Sequence, residues 1–491
     1  MSASVRPLVP TWLETPDDAN DLASGLWPDG AARDTDGMLT LAGVRADDLH
    51  ARFGTPLYVF DENDARARAR RVRAAFESAA ARHGVAAHVY YAGKAFLSTE
   101  VVRWVAEEGL RVDVCSAGEL AVALAAGMDP ARLGFHGNNK RTADLRRAVE
   151  IGVGSIVVDS DDEIDRLAAL TATAATPQRV LIRVNTGVHA ETHDFLATAH
   201  EDQKFGFSLA DAPAAAARIR ALPGLVLAGL HCHIGSQIFG AGGFEASAAG
   251  LVDLYARLRR DGELTLLNLG GGFGIAYTRV QTPAPIEDLA DHIVDAVADA
   301  CAARGIPMPT LAFEPGRVIV GPAGITLYEV GTVKPVRVSE SLTRTYVSVD
   351  GGMSDNARPA LYGADYSARI ASRTSNAPPV LARVVGSHCE SGDIVVDAEH
   401  LPGDIAPGDL LAVPATGAYC FSLSSNYNYA PRPAVVAVRD ADARVIVRGE
   451  TIADLLARDA GIPAGQARSA GQAPSAGQAS SASSTESKGT T

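Results

Sequence analysis

The stretch Tyr90-Tyr91-Ala92-Gly93-Lys94-Ala95-Phe96 sets a lone lysine after an apolar, aromatic run that begins at His88. A lysine at the end of a buried strand is costly to keep charged, so its pKa is expected to fall and its amine to become nucleophilic. That chemistry suits a Schiff base with a carbonyl cofactor. The competing reading is a lysine whose head snorkels out of a strand end. Only five lysines occur in 491 residues (Lys94, Lys140, Lys204, Lys334 and Lys488), which narrows the search for a Schiff-base residue to a handful of positions.

Five further stretches carry reactive or ligand-binding residue types. In His231-Cys232-His233-Ile234-Gly235-Ser236-Gln237, two histidines two apart on a strand share a face. Metal binding therefore comes into question, but no third ligand is evident; the adjoining Gly-Ser suggests a phosphate contact, and His233 reads as a ring-stacking or structural histidine. Gly270-Gly271-Gly272-Phe273-Gly274 offers backbone N–H groups that a phosphate can approach closely, or simply a tight turn. Glu314-Pro315-Gly316-Arg317 pairs a carboxylate, which could accept from a protonated ring nitrogen, with an arginine for an anion; a structural ion pair is the alternative. Arg358 and Tyr362, four apart beyond Asp350-Gly351-Gly352, fit either a carboxylate clamp or an ordinary surface. Gly386-Ser387-His388-Cys389-Glu390-Ser391-Gly392-Asp393 crowds thiol, imidazole and carboxylates together, as for zinc, a cysteine nucleophile, or a proton donor beside a substrate ammonium. Tyr419 supplies a further phenol.

These stretches need a frame to bring them together. From residue 61, Ala/Arg-rich helical segments alternate with short apolar strands ending at Lys94, Ser116, Gly137, Asp159, Asn185, Gly235, Gly272 and Arg317. Eight βα units over roughly 240 residues predict a (β/α)8 TIM barrel, with its site at the C-terminal strand ends. An open doubly wound sheet is disfavoured because no nucleotide fingerprint follows the first strand. Beyond the barrel, expected at residues 61–325, short strands with turn signals predict a C-terminal antiparallel β domain over 326–460. Residues 37–60 are expected to add strands to it, and residues 1–36 to form an irregular arm docked by Trp12 and Trp27. The tail, 461–491, repeats a six-residue Ala-Gly-Gln-Ala unit without large apolar residues and is expected to be disordered.

Composition bounds the function. With 47% hydrophobic and 21% charged residues the chain reads as a soluble protein, and its net charge of −14 disfavours nucleic acid or an anionic membrane surface as partner. Five widely spaced cysteines without a CxxC pair point to a reducing cytoplasm, and neither a signal peptide nor an apolar run of spanning length is read.

Together and in this order, from about residue 36 to about 458, the motifs resemble the fold-type III decarboxylases that use pyridoxal phosphate. The resemblance implies an alanine-racemase-like barrel plus a β domain, working as a head-to-tail homodimer. It implies Lys94 as the Schiff-base lysine and His233 as the histidine stacked on the pyridine ring. Ser236, Gly271, Gly272 and the loop Glu314-Pro315-Gly316-Arg317 become cofactor-binding positions. Arg317, Arg358 and Tyr362 become holders of a distal substrate carboxylate, and Tyr419 a residue touching cofactor and substrate. Cys389 of the partner subunit becomes the proton donor, and Glu390 of the partner subunit the contact for a distal amino group. A glutamate at the ring nitrogen keeps the pyridinium protonated and the electron sink strong, whereas racemases of this fold place an arginine there. Two arginines with Glu390 suit a distal carboxylate and ammonium carried together. The expected reaction is thus decarboxylation of meso-2,6-diaminopimelate to L-lysine and CO2. Ornithine, arginine or carboxynorspermidine decarboxylation, or a non-catalytic cofactor-binding regulator, are the alternatives. Asn268 departs from the aspartate that several relatives carry.

Overall fold

The computed structural model describes residues 9–174, 176–188, 204–340 and 342–462. The expected disordered tail falls almost wholly outside these residues. Eight parallel strands form the barrel: Ala87–Ala92, Arg111–Val114, Leu133–Phe135, Ser155–Val158, Gln178–Asn185, Leu225–His231, Leu266–Asn268 and Thr310–Phe313. Each pairs with the next, and the eighth pairs with the first (Leu311 opposite Ala87), so the sheet closes. The helices between them bury one face. In Glu62–Arg82, for example, Ala65, Ala69, Val72, Phe76 and Ala80 recur at helical spacing and are buried, and the Asp61 side chain caps the helix by accepting from the Asp64 N–H.

The strands end earlier than their sequence suggests. The first stops at Ala92, and Lys94 sits in a single 3₁₀ turn, Gly93–Ala95. The sixth, seventh and eighth stop at His231, Asn268 and Phe313, so the reactive stretches are loops beyond strand ends. Alternation of side chains fills the barrel axis in layers. The middle layer is Tyr90, Val157, Leu181, Ala228, Leu266 and Ala312, all buried. Two residues further along their strands, Asn268 and Glu314 face the C-terminal mouth, and two residues back His88 and Arg179 face the base; the second strand, which adds nothing to the middle layer, places Asp113 at the mouth and Arg111 at the base.

Strand Leu57–Asp61 precedes the barrel but belongs to the second sheet, antiparallel to Gly324–Arg337 and parallel to Ala434–Arg439. Strands Thr343–Val349 and Pro379–Val385 also run parallel, so the β domain is mixed rather than purely antiparallel. Both parallel pairs are joined by long connections, one of them the whole barrel, as parallel pairing requires. Leu39–Leu41 and Val44–Arg45 do not enter this sheet: they form a separate three-stranded one with Ala31–Arg33, tied on by the Leu39 N–H to the Ala371 carbonyl at 2.8 Å. The arm is therefore not wholly irregular, and its Trp27 is buried against Leu57, Val59 and Val436 of the β domain. No helix among the described residues is long and apolar enough to cross a membrane.

Candidate active site

Lys94 points into the barrel mouth with its side chain exposed there. Gly93 permits this turn, since a Cβ on it would lie 2.8 Å from the Asp113 carbonyl. Burial works against the Lys94 ammonium, but Tyr419, Asp113 and Glu314 outweigh it and raise the lysine above its ordinary value. The expected fall in its pKa is thus reversed, because the mouth is lined by groups that favour the cation. Tyr419 is held beside it: its backbone lies in the left-handed region (φ 67°), and its N–H donates to the Ala95 carbonyl at 2.7 Å.

Glu314 is the most intensively held side chain of the mouth. Its Oε1 accepts from Asn268 Nδ2 at 2.6 Å, its Oε2 lies 3.2 Å from His231 Nε2, and His136 Nε2 lies 3.3 Å from Oε1. Burial alone would raise its pKa; the facing His136 and His231, with the hydrogen bond from His231, hold it well below the usual carboxylate range. Burial pushes His136 down to about 3, so that ring is neutral near pH 7. Asn268 suits this arrangement, since its amide donates to Glu314 while its Oδ1 accepts from the Gly270 N–H at 2.9 Å. An aspartate there could not donate when ionised.

The paired histidines of the sixth strand do not act as a pair. The ladder slips between Leu227 and Gly229, which leaves Leu230 in the outer core and turns His231 inward to Glu314. His136, His231 and Glu314 offer ligand atoms within 4.8 Å of one another, but the two rings already address the carboxylate itself. His233 lies past the strand end, where its Nδ1 accepts from the Gly271 N–H at 3.3 Å and burial holds the ring neutral. The glycines answer first to backbone packing: a Cβ on Gly271 would lie 2.0 Å from the Glu314 carbonyl, and one on Gly272 2.4 Å from the Gly235 carbonyl. Gly316 packs less tightly, with a Cβ there 2.8 Å from the Ala92 side chain, and the Pro315 carbonyl accepts from the Ala92 N–H at 3.0 Å.

Arg317 Nη2 donates to Ser236 Oγ at 2.9 Å, its other amino group donates to the Tyr277 hydroxyl, and its guanidinium stacks 4.5 Å over Tyr419. Arg358 is buried, donates to the Tyr366 hydroxyl and stacks 4.4 Å over Tyr277. Tyr277 thus bridges the two arginines, and neither has a carboxylate partner among the described residues. Tyr362, by contrast, is 69% exposed. Cys389 and Glu390 are exposed on the loop between Pro379–Val385 and Ile394–Pro402, and the Glu390 carboxylate accepts only from its own loop, at Ser391 and Gly392. A single chain therefore gathers Lys94, His233, Ser236, Gly271, Gly272, Glu314, Pro315, Gly316, Arg317, Arg358 and Tyr419 and leaves Tyr362, Cys389 and Glu390 on the surface. Sequence reasoning missed His136, His231 as a Glu314 partner, Tyr277 and Tyr366. His231 and His136 do lie in glycine-punctuated strand ends, the latter in Gly134-Phe135-His136-Gly137, which could have flagged them; Tyr277 and Tyr366 carry no such signal.

This donor set fits pyridoxal phosphate. It offers an amine in the mouth, an ionised carboxylate for a ring N–H, a neutral imidazole for a ring face, and Ser236 with Arg317 for phosphate. The Gly272 N–H, with no partner among the described residues, adds a donor to that cradle. Residues 66–321 match the pyridoxal-binding domain of the pyridoxal-dependent decarboxylases. The chain belongs to that family. Within it, the chain is 53% identical over 89% of its length to the diaminopimelate decarboxylase of Mycobacterium tuberculosis, covering 98% of that protein. It is 43% identical to the Bacillus subtilis diaminopimelate decarboxylase, over 87% of this chain and 97% of that one. The crystal structure of the M. jannaschii diaminopimelate decarboxylase superposes with a TM-score of 0.82 at 30% identity, over 89% of this chain and 99% of that one. The same enzyme is known in complex with L-lysine.

Proposed function

We propose that the chain decarboxylates meso-2,6-diaminopimelate to L-lysine and CO2 using pyridoxal phosphate. The observation that supports this reading is the pair of arginines on Tyr277, one of them buried, with no carboxylate among the described residues to neutralise them. An unpaired buried guanidinium is costly, so the site is built to receive an anion there. A substrate with a second carboxylate supplies one; ornithine does not.

Pyridoxal phosphate, when bound, supplies the sink for the electron pair left at the substrate Cα as CO2 departs. Lys94 would attach the cofactor covalently, and its amine is placed in the mouth to move protons. Glu314 accepts the ring N–H, and its histidine and asparagine partners keep it ionised for that purpose. His233 would cover one ring face, and Ser236, Gly271, Gly272 and Gly316 would hold the phosphate, with Arg317 reaching that cradle through Ser236. Arg317 and Arg358 orient the distal carboxylate with Tyr362, and Tyr419 closes the mouth above Lys94. The proton that replaces CO2 at Cα comes from the Sγ–H of Cys389 of the partner subunit, and Glu390 of the partner subunit faces the distal ammonium. A homodimer is favoured because Cys389 and Glu390 lie on an exposed loop whose His388 meets Asn428 and Tyr427, next to the exposed Tyr429 (67%), apolar area that a second copy would cover. Free cysteines and the absence of a spanning helix among the described residues favour the cytoplasm.

The test is CO2 release from meso-diaminopimelate with and without added pyridoxal phosphate, beside ornithine, arginine and carboxynorspermidine. Cofactor-dependent turnover of diaminopimelate alone is expected. Preferential release from any of the other three would overturn the substrate assignment.

A further inference from the structure

The barrel has a second polar mouth, at the N-terminal ends of its strands. Its residues come from the layer below the apolar plug: His88 and Arg179 lie two positions before Tyr90 and Leu181 of the plug, and Arg111 two before Asp113 of the catalytic mouth, so all three project on the side away from Lys94. With Tyr90, Ser155 and Thr265 they line a well of about 310 Å³. Tyr90 and Ser155 form buried parts of its wall, each 6% exposed.

The charge of this well is one-sided. Among the described residues no acidic side chain lines it, although the chain as a whole carries a net charge of −14. Many arginines elsewhere sit in ion pairs with Asp or Glu, whereas among the described residues neither Arg111 nor Arg179 pairs with a carboxylate. Arg111 donates to the Ala131 carbonyl at 3.3 Å and lies 5.7 Å from the centre of the Tyr90 ring, and Arg179 donates to Thr265 Oγ1 at 3.5 Å. Burial, with Arg111 and Arg179, also pushes His88 below its ordinary value, which reports the same converging field. Two guanidiniums on the second and fifth barrel strands present forked donors across a cup of small-molecule size.

We propose that this well binds a small oxyanion through Arg111 and Arg179, at a site separate from the catalytic mouth. Its chemistry is shared by two sources, a phosphate group and a dicarboxylate. One layer of side chains, Tyr90 among them, separates it from the glutamate-centred network above. The assignment does not rest on the decarboxylase reading.

The experiment titrates the enzyme loaded with pyridoxal phosphate, so that the upper phosphate cradle is filled, with inorganic phosphate and separately with succinate, at ionic strength fixed with sodium chloride. One saturable site per chain is expected for at least one of them, and the one that saturates identifies the source. Arg179→Gln, on the open side of the well, should weaken binding about tenfold while kcat is unchanged. Thr265→Glu, which adds a carboxylate and removes neither arginine, should abolish it. No saturable binding of either anion, or binding unaltered in both variants, would overturn the proposal.

Discussion

At the scale of single residues, the state of Glu314 decides what the mouth can do. Its depressed pKa means its stabilising interactions are fully present above the ordinary 4.5 and are lost only as pH falls toward its folded value. His136 acts in the same direction: it stays neutral down to about 3, so below 6.5 the unfolded chain takes a proton that the folded one refuses. Thermal stability is therefore expected to fall steadily between pH 6.5 and 3, with a shallower slope in His136→Gln, as followed by melting temperature. Asn268→Asp sets a second carboxylate at the 2.6 Å contact, raises the Glu314 pKa and weakens its hold on a ring N–H. A loss of about 10- to 100-fold in kcat, with the acid limb of the pH–rate profile moved upward, is expected; an unmoved profile would count against Glu314 as the ring partner. Lys94→Ala should lose both turnover and the absorbance of lysine-bound cofactor. Sequence alone exposed Lys94, Glu314 and Arg317, since each stands in a short motif punctuated by glycine. His136 stands in such a stretch too, Gly134-Phe135-His136-Gly137, but its role, like that of Tyr277, comes from where the barrel brings it.

At the scale of elements, loops after successive strands are clamped to one another. Lys140 follows the third barrel strand and Glu163 the fourth, and their side chains, each 1% exposed, meet at 2.6 Å. The same ammonium donates to the Gly137 and Val157 carbonyls at 2.8 and 2.6 Å, while Glu163 accepts from the Asp159 N–H at 3.1 Å. Burial pushes Lys140 down and Glu163 up, each opposed by the other, so the pair persists only intact. Lys140→Met alone should cost about 3–5 kcal/mol in denaturant unfolding, and Lys140→Met with Glu163→Leu distinctly less. A simply additive double variant would mean that the pair is not coupled. The alternation of apolar strands with Ala/Arg helices made all eight barrel strands legible. Strand Ile394–Pro402 was not, because its buried positions hold Asp397, Glu399 and His400, which read as loop. Arg383 and Arg369, distant in sequence, pair with Asp397 and Glu399 at 2.5 and 3.0 Å and make those positions tolerable inside a sheet.

At the scale of the whole molecule, the chain is two units whose covalent order conceals their contacts. Strand Leu57–Asp61 is laid into the second sheet before the barrel begins, so the β domain is tethered at both ends of the barrel. That tether brings Tyr419 and Ser422 to the Ala95 carbonyl, at 2.7 and 2.9 Å, beside Lys94. It does not bring in Cys389, which remains on the exposed loop of the same chain. If the thiol acts from a second copy, Lys94→Ala and Cys389→Ala damage different subunits' contributions to any one site. Each variant alone should be nearly inactive. Mixed in equal amounts and allowed to exchange subunits, half the dimers would be heterodimers, each with one site drawing an intact Lys94 and an intact Cys389 from opposite chains. Turnover should then rise to about one quarter of wild type. Were both residues supplied by one chain, the heterodimer would instead pair a wholly intact complement in neither subunit, and mixing would restore nothing. The recovered fraction, measured as CO2 release against mixing ratio, thus reads the architecture of the site directly from its chemistry.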